Sequence, residues 1–329
     1  MKILIIKPSS FGDIIQANPT LTALKKAYPD ARISWLVFAR WVEVVSLFPD
    51  VNDVLKWDRS RGAREYVRVL GLIRKERFDL VVDLQGLARS ALLAALSGAR
   101  KKIGVPGMKE MSGLFIHEVY PESRMSNAVY RSLETVRFLT GARQSAVFNV
   151  SVADAAIQSA DRILTAYSVN PDDQLVGIIP SARGRGKQWP IDYYIQLADR
   201  ITQTCRGTRI VVLGTQNDAG KLITPRAIDL CGSTSLKVLA AVLKRCRVVV
   251  GGDTGPLHLA AALNVPVVVL FGGSDVTETA PVTASATILK KNYACSPCRG
   301  KTSCDDMPCL RSISPDEVYF AMLQHLSSI

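Results

Sequence analysis

The chain has 329 residues, 41 Lys and Arg against 29 Asp and Glu, a formal net charge of +12 and 48% hydrophobic residues. That length suggests two domains, because single cores stop growing at roughly 250–300 residues, and the composition excludes an intrinsically disordered chain. No apolar run approaches the ~20 residues of a membrane-spanning helix, and the opening MKILIIKPSS is too short an apolar stretch for a signal peptide, so a cytoplasmic, soluble and basic protein is expected.

In chain order, Ile3–Ile6 reads as a strand, Pro8–Gly12 as a turn-rich loop and Ile14–Ala27 as a helix with apolar residues at helical spacing. A buried parallel strand follows over Ile33–Phe38. Next come a helix over Trp41–Phe48 that stops before Pro49, a strand over Val54–Trp57 and a charged amphipathic helix over Glu65–Arg77. Leu80–Leu84 is a strand, Gln85-Gly86 a turn and Ser90–Leu96 a helix. The weakly patterned stretch Asn149–Asp161 marks a boundary. Beyond it the same grammar recurs. Strands are expected at Leu175–Ile179, Arg209–Leu213, Val248–Val250 and Val267–Phe271, and helices at Ile191–Gln203, Leu236–Arg245, Pro256–Leu263 and Pro315–Leu326. Strands separated by helices imply two doubly wound α/β halves with parallel sheets, whose ligands bind beyond the strand C-terminal ends.

The charge is uneven. Residues 1–150 hold 23 Lys and Arg and 14 Asp and Glu, a net of +9, and the rest of the chain carries +3. An excess on one half suggests an anionic partner there, whether nucleic acid, a phosphorylated glycan or an anionic membrane surface; a solvated surface with no partner is the plain alternative.

The loops after the strands carry the candidate chemistry. Lys7-Pro8-Ser9-Ser10-Phe11-Gly12-Asp13 ends at a helix start, where Asp13 would cap free N–H groups. The Lys and two Ser form a polar constellation that capping does not need. Asp83-Leu84-Gln85-Gly86 with Arg89 places a carboxylate, an amide and a cation at a strand end of the same half. Ser181-Ala182-Arg183-Gly184-Arg185-Gly186-Lys187 could cradle a diphosphate with exposed backbone N–H groups and three cations, though it lacks the order of a Walker loop. Gly251-Gly252-Asp253-Thr254-Gly255-Pro256-Leu257-His258 runs from strand into helix. Pro256 suits the first turn, and the N–H groups of Thr254 and Gly255 would face an anion, with His258 close enough to share it. Gly214-Thr215-Gln216-Asn217-Asp218 and the stretch before Leu236 suit a ribose or a base.

Seven cysteines argue against a disulfide scaffold in such a protein. The spacing Cys295-x2-Cys298-x5-Cys304-x4-Cys309 could close a tetrahedral Zn site. Cys205, Cys231 and Cys246 read as small buried hydrophobes.

The blocks KILIIKPSSFGDIIQANPTLTALK, FDLVVDLQGLARSALLA, NAVYRSLETVRFL, KQWP and VGGDTGPLHLAAALNVPVVVLFGG, in this order, resemble the bacterial lipopolysaccharide heptosyltransferases. The resemblance covers most of the chain and is specific where S-S-x-G-D and D-T-G-x-x-H occur together. It implies a GT-B fold of two Rossmann-like domains facing a cleft. An acceptor-binding domain would span residues 1–152 and a nucleotide-sugar domain 153–312, with a final helix in 313–329 packing back on the first. It implies inverting, metal-independent heptose transfer from ADP-heptose to the lipid A–Kdo inner core, without a cofactor and without nucleic acid. The enzyme would be a monomer on the anionic cytoplasmic face of the inner membrane.

Residue by residue, the resemblance makes Asp13 the catalytic base and Lys187 the phosphate-binding lysine. Asp253, Thr254, Gly255 and His258 match the donor block, with Ser181 and Arg183 beside it. Ser9, Ser10 and Gly12, with Lys7, match the acceptor loop, joined by Arg61, Arg64, Gln85 and Arg89. Gly214, Thr215, Asp218 and Leu236 are assigned to the nucleoside. Two departures bear on the donor: Ala182-Arg183 stands where relatives have two Thr, and Ser274-Asp275-Val276 where the family has Thr-Asp-Pro. Other GT-B nucleotide-sugar chemistry, such as epimerisation or hydrolysis, and a basic nucleic-acid or anionic-surface binding module remain the alternatives.

Overall fold

The computed structural model describes residues 1–121, 127–222, 224, 227–298, 304 and 306–326. The chain divides into two compact units, Met1–Ser151 and Val152–Ile329. The first holds β1 (Lys2–Ile6), β2 (Arg32–Phe38), β3 (Asp53–Trp57), β4 (Leu80–Asp83), β5 (Lys101–Gly104) and β6 (His117–Glu118). They form one sheet in the order β3-β2-β1-β4-β5-β6, parallel throughout. The second holds β7 (Gln174–Ile179), β8 (Thr208–Val212), β9 (Ala227–Asp229), β10 (Cys246–Gly252), β11 (Val267–Phe271) and β12 (Ala286–Lys290). Its order is β12-β11-β10-β7-β8-β9, again all parallel.

The central strands are unbroken apolar runs because helices cover both faces of the sheet; Ile3 to Ile6 and Val248 to Val250 are fully buried. Each sheet reverses direction once. The chain winds from β1 out to β3 and crosses back to β4, and likewise from β7 to β9 and back to β10. Diverging connections leave a crevice at such a switch point. The four loops that leave β1, β4, β7 and β10 at these two points are the four loops richest in chemical groups.

Four strands escaped sequence reading. β5 (KKIG) and β6 (HE) are short and polar, and β9 and β12 are edge strands with half-exposed patterns. The division between the units, after Ser151, falls inside the stretch read as a boundary, and the rest of that stretch begins a helix, Asp154–Ala166, that buries Ala156, Ala160 and Leu164 and packs on the helix Leu236–Arg245. Its inward face is two alanines and a leucine. The helix read over Trp41–Phe48 shortens to Val42–Val45.

One expectation is corrected. The last helix, Pro315–Leu326, packs on the C-terminal unit, not on the N-terminal one. Val318, Tyr319, Met322 and Leu326 join one core with Trp189, Tyr194, Leu197 and Ile201. Trp189 Nε1 donates to the Ile313 carbonyl at 2.9 Å. The apolar stripe of the helix is complementary to the face of Ile191–Thr204, so burial there satisfies both.

Candidate active site

In the N-terminal unit, the loop after β1 leads into the helix Phe11–Ala27. Asp13 lies in its first turn and accepts from the Ser10 N–H at 2.8 Å and the Ser10 hydroxyl at 2.7 Å. The carboxylate is nevertheless exposed, so it caps the helix and still faces solvent. Lys7 donates to the Leu84 carbonyl at 2.9 Å. Burial lowers its pKa, while Asp13 and Asp83 pull it back up. Asp83 is fully buried. Its carboxylate accepts from the Gln85 N–H at 2.9 Å, the Gly86 N–H at 3.3 Å and the Ser90 hydroxyl at 2.8 Å. Burial outweighs these bonds and pushes its pKa up to about 6.

These residues surround a cavity of about 220 Å³ whose lining includes Lys7, Asp13, Gln85, Lys109 and Arg131. Three cations and one carboxylate therefore face one space, and the buried Gln85 Oε1 has no hydrogen-bond partner among the described residues. An anionic or hydroxyl-rich guest could satisfy that set. Lys109 and Arg131 were not picked out from the sequence. Arg131 reaches the cavity because its helix, Ala128–Thr140, packs along Phe11–Ala27; only the NAVYRSLETVRFL block hinted at it. Arg61, Arg64 and Arg89 stand on the surface outside this lining, with Arg61 paired to Asp58 at 3.1 Å. Ser9, on the loop, and Gly12, in the first turn of the helix, do not line it either.

In the C-terminal unit, the loops after β7 and β10 meet. Lys187 Nζ contacts Asp253 Oδ2 at 2.6 Å, and His258 Nε2 contacts Asp253 Oδ1 at 2.9 Å. Thr279 Oγ1 also donates to Asp253 Oδ2, at 3.2 Å. Burial would raise the Asp253 pKa, but hydrogen bonding and attraction from His258 and Lys187 win and hold it well below the usual carboxylate range. Asp253 is thus a fixed anion that pins the lysine. His258 is buried and turned onto Asp253, so it positions this carboxylate and does not reach outward as the sequence suggested.

Close packing makes two glycines necessary here. A Cβ on Gly252 would sit 2.2 Å from the Lys187 carbonyl oxygen. Gly273 N–H donates to the Gly186 carbonyl at 2.7 Å, and a Cβ on Gly273 would meet Cys298 Sγ at 2.9 Å. Thr254 N-caps the helix Gly255–Ala262, with Pro256 in its first turn. The Thr254 Oγ1 and Ser274 Oγ are buried without partners among the described residues. A helix N-terminus with unpaired hydroxyls beside a pinned lysine is a site prepared for an anion. Arg183 is exposed on the same loop. Thr279 was missed by sequence reasoning. It reaches Asp253 because Asp275 caps the short helix Val276–Thr279, accepting from the Thr277 N–H at 3.0 Å.

The nucleoside candidates divide. Gly214, Thr215 and Asp218 lie together, but Asp218 caps its own turn, accepting from the Thr215 N–H at 2.8 Å and hydroxyl at 2.7 Å, and it pairs with Lys221 at 3.0 Å. Burial would raise its pKa, yet the hydrogen bonds from Thr215, Ser181 and Lys221 lower it to about 2. Leu236 opens the helix Leu236–Arg245, half-buried. The four cysteines of the 295–309 loop stay near one another: burial raises the Cys309 pKa, and Cys295, Cys298 and Cys304 raise it further, although among the described residues no group of three or more His, Cys, Asp or Glu has the geometry to hold a metal. Cys309 is drawn into the core beside Leu310, while Cys295 is exposed and Cys298 packs on Gly273.

Comparison with known proteins bears on the family and the fold. The family model for glycosyltransferase family 9 (heptosyltransferase) matches residues 67–307. Lipopolysaccharide heptosyltransferase 1 of Pseudomonas aeruginosa is 28% identical over 318 residues, covering 92% of this chain and 87% of the relative. Lipopolysaccharide heptosyltransferase 2 of Escherichia coli K12 is 26% identical over 314 residues, covering 88% of each. The fold matches that of a family 9 glycosyl transferase from Veillonella parvula, with a TM-score of 0.86 at 21% identity over 99% of this chain and 97% of that one. It also matches E. coli ADP-heptose heptosyltransferase II, with a TM-score of 0.82 at 23% identity over 99% and 98%. The two parallel-sheet units are those of a GT-B glycosyltransferase, and the chain belongs to glycosyltransferase family 9, the heptosyltransferases.

Proposed function

We propose that this enzyme transfers a heptose from ADP-heptose to an inner-core sugar of lipopolysaccharide, a Kdo or a heptose, with inversion and without a metal ion. The observation that carries the donor assignment is the Lys187–Asp253–His258 chain at the N-terminus of the helix Gly255–Ala262. Asp253 holds Lys187 in place by an ion pair, and the helix amides and the exposed Arg183 add to the positive potential that Lys187 offers a diphosphate. E. coli relatives of this fold have been solved with ADP and with ADP-2-deoxy-2-fluoro heptose, which supports the same ligand class here.

In the proposed reaction an acceptor hydroxyl forms a bond to the anomeric carbon as that carbon's bond to the diphosphate oxygen breaks. The electron pair leaves on ADP and the hydroxyl proton passes to Asp13. Lys187 and the helix N-terminus stabilise the charge developing on ADP, the role a metal fills elsewhere. Asp13 is a suitable acceptor of that proton because its exposed carboxylate is already oriented by Ser10. The cations Lys7, Lys109 and Arg131 around it suit an acid-bearing or phosphorylated acceptor. No helix among the described residues is long and apolar enough to cross a membrane. We take the enzyme to work as a monomer at the cytoplasmic face of the inner membrane.

The test is transfer from ADP-heptose to a de-acylated inner-core acceptor, read by mass spectrometry and anomeric NMR, with and without EDTA. Asp13→Ala should abolish transfer and leave ADP binding by calorimetry nearly intact. Retained turnover would remove Asp13 from the role of base, and loss of turnover in EDTA would overturn metal independence.

A further inference from the structure

The three most exposed large apolar side chains among the described residues lie within ten positions: Met111 at 78%, Leu114 at 82% and Tyr120 at 75%. Phe115, between them, is also exposed. Single exposed hydrophobics are ordinary on soluble surfaces, but four within ten consecutive positions are not.

The segment is built to hold this posture. The Lys109 N–H donates to the Gly86 carbonyl at 2.8 Å, and the Ser112 N–H to the Lys109 carbonyl at 3.0 Å. The Ser112 hydroxyl contacts the Gly86 carbonyl at 3.2 Å. The Leu114 N–H returns to Met111 and the Phe115 N–H to Ser112, both at 3.0 Å. Ser112 and Ile116 point inward and are buried. Two inward anchors and a hydrogen-bonded turn thus direct Met111, Leu114 and Phe115 outward, where a loop shaped only by folding would have turned them in.

The charges around it are sorted. Glu110 accepts from the Ala88 N–H at 3.1 Å, and Glu118 from the Gly107 and Met108 N–H groups at 2.7 and 3.2 Å. Both carboxylates keep their charge but are turned onto backbone donors of the neighbouring loops. Arg100, Lys101 and Lys109 are exposed; Lys101 opens β5, the neighbour of β6, with its Nζ 5.1 Å from the Phe138 ring centroid, and this half carries a net charge of +9.

We propose that this 111–120 segment is the membrane-docking surface of the enzyme, inserting Met111, Leu114 and Phe115 between the headgroups of a bilayer containing anionic phospholipid while the neighbouring cations lie over the phosphates. Apolar insertion beside a basic rim is the combination that gives interfacial binding without a spanning helix. A second copy of the chain is a poor occupant, because the same basic rim would face itself. The inference rests on the lipid-linked acceptor of the proposed reaction only for its purpose. The stretch leading into the segment contributes Gly107 and Lys109 to the cavity beside Asp13, so docking through it would bring that cavity to the bilayer surface.

The test is flotation of the full-length enzyme with phosphatidylglycerol/phosphatidylethanolamine vesicles and with phosphatidylcholine vesicles, at physiological salt. Wild type should float with the anionic vesicles, and the double variant Leu114→Ser/Phe115→Ser should lose roughly tenfold or more in apparent affinity. Phe320→Ser, which removes an exposed aromatic from the C-terminal unit, should float as wild type does. The double variant should keep wild-type transfer to a lipid-free acceptor, which shows that it is folded. Equal flotation of wild type and the double variant, or no preference of wild type for anionic vesicles, would overturn the proposal. So would a wild-type dimer in sedimentation velocity that the double variant dissolves. Absence of transfer to the lipid-free acceptor by wild type would count against the proposed reaction and leave the flotation result standing.

Discussion

At the scale of single residues, the buried carboxylates Asp83 and Asp253 are opposites. Asp253 is kept ionised by Lys187 and His258, whereas burial raises Asp83 from an ordinary 3.8 to about 6. The folded state therefore binds the Asp83 proton more tightly than the unfolded chain does. By linkage, that proton contributes stability in full below pH 3.8, and the contribution falls away as pH rises to about 6. At about 1.4 kcal/mol per unit, the span is worth up to about 3 kcal/mol. Asp83→Asn should remove this loss: the amide oxygen can still accept from the Gln85 and Gly86 N–H groups, and its NH2 can donate to Ser90, whose hydroxyl contacts the Leu87 carbonyl at 2.9 Å. Thermal melts should show wild type losing stability between pH 4 and 6 relative to the variant; parallel profiles would remove Asp83 as the source. Asp13, Lys187 and Asp253 could be read from the sequence because each stands in a loop directly after an apolar strand. Arg131, Lys109 and Thr279 could not, because packing of separate elements brings them to the site.

At the scale of elements, the switch points of the two sheets decide where chemistry can gather, and glycine decides how closely the loops approach. The alternation of apolar strands and amphipathic helices made the parallel sheets legible. Edge strands such as β6, two residues long, carry too little pattern to be seen, and the helix Asp154–Ala166, with two alanines and a leucine inward, looked like a linker. The glycines near Lys187 have unequal duties that no residue count distinguishes. Gly252 abuts the Lys187 carbonyl, where a Cβ would lie 2.2 Å away, while a Cβ on Gly186 would find its nearest neighbour at 3.6 Å, an ordinary contact. Gly252→Ala must push the Lys187 loop aside and should weaken ADP binding by about tenfold or more, since a displacement near 1 Å at a site group is costly. Gly186→Ala should bind ADP within about twofold of wild type. Calorimetry on the two variants makes the comparison, and equal affinities would show that the loop position set by Gly252 is unimportant to the donor.

At the scale of the whole molecule, each unit has its own core, and the last helix commits to the second. This choice was not legible, because an amphipathic terminal helix fits any apolar groove within reach and the sequence records only that it has an apolar face. Trp189 shows what the choice does for function. It follows the Lys187 loop by two residues, is buried against Tyr193 and Tyr194, and donates to the Ile313 carbonyl at 2.9 Å just ahead of the last helix. The helix therefore braces the loop that carries Lys187, the lysine proposed to bind the donor. Met322, fully buried in that packing, gives the test. Met322→Ala should cost about 2–5 kcal/mol through lost transfer energy and the cavity left behind. Ile73→Ala, in the core of the first unit, should cost a comparable amount. ADP stabilises whatever must be folded to bind it, in proportion to the logarithm of its concentration over its Kd. In calorimetric melts with ADP, the transition that the ligand raises should be the one that Met322→Ala lowers, while Ile73→Ala should lower a transition that ADP leaves in place. If both variants lower one common transition and ADP raises it, the units unfold as a single cooperative body, and the bracing of the donor site by the last helix extends to the whole chain.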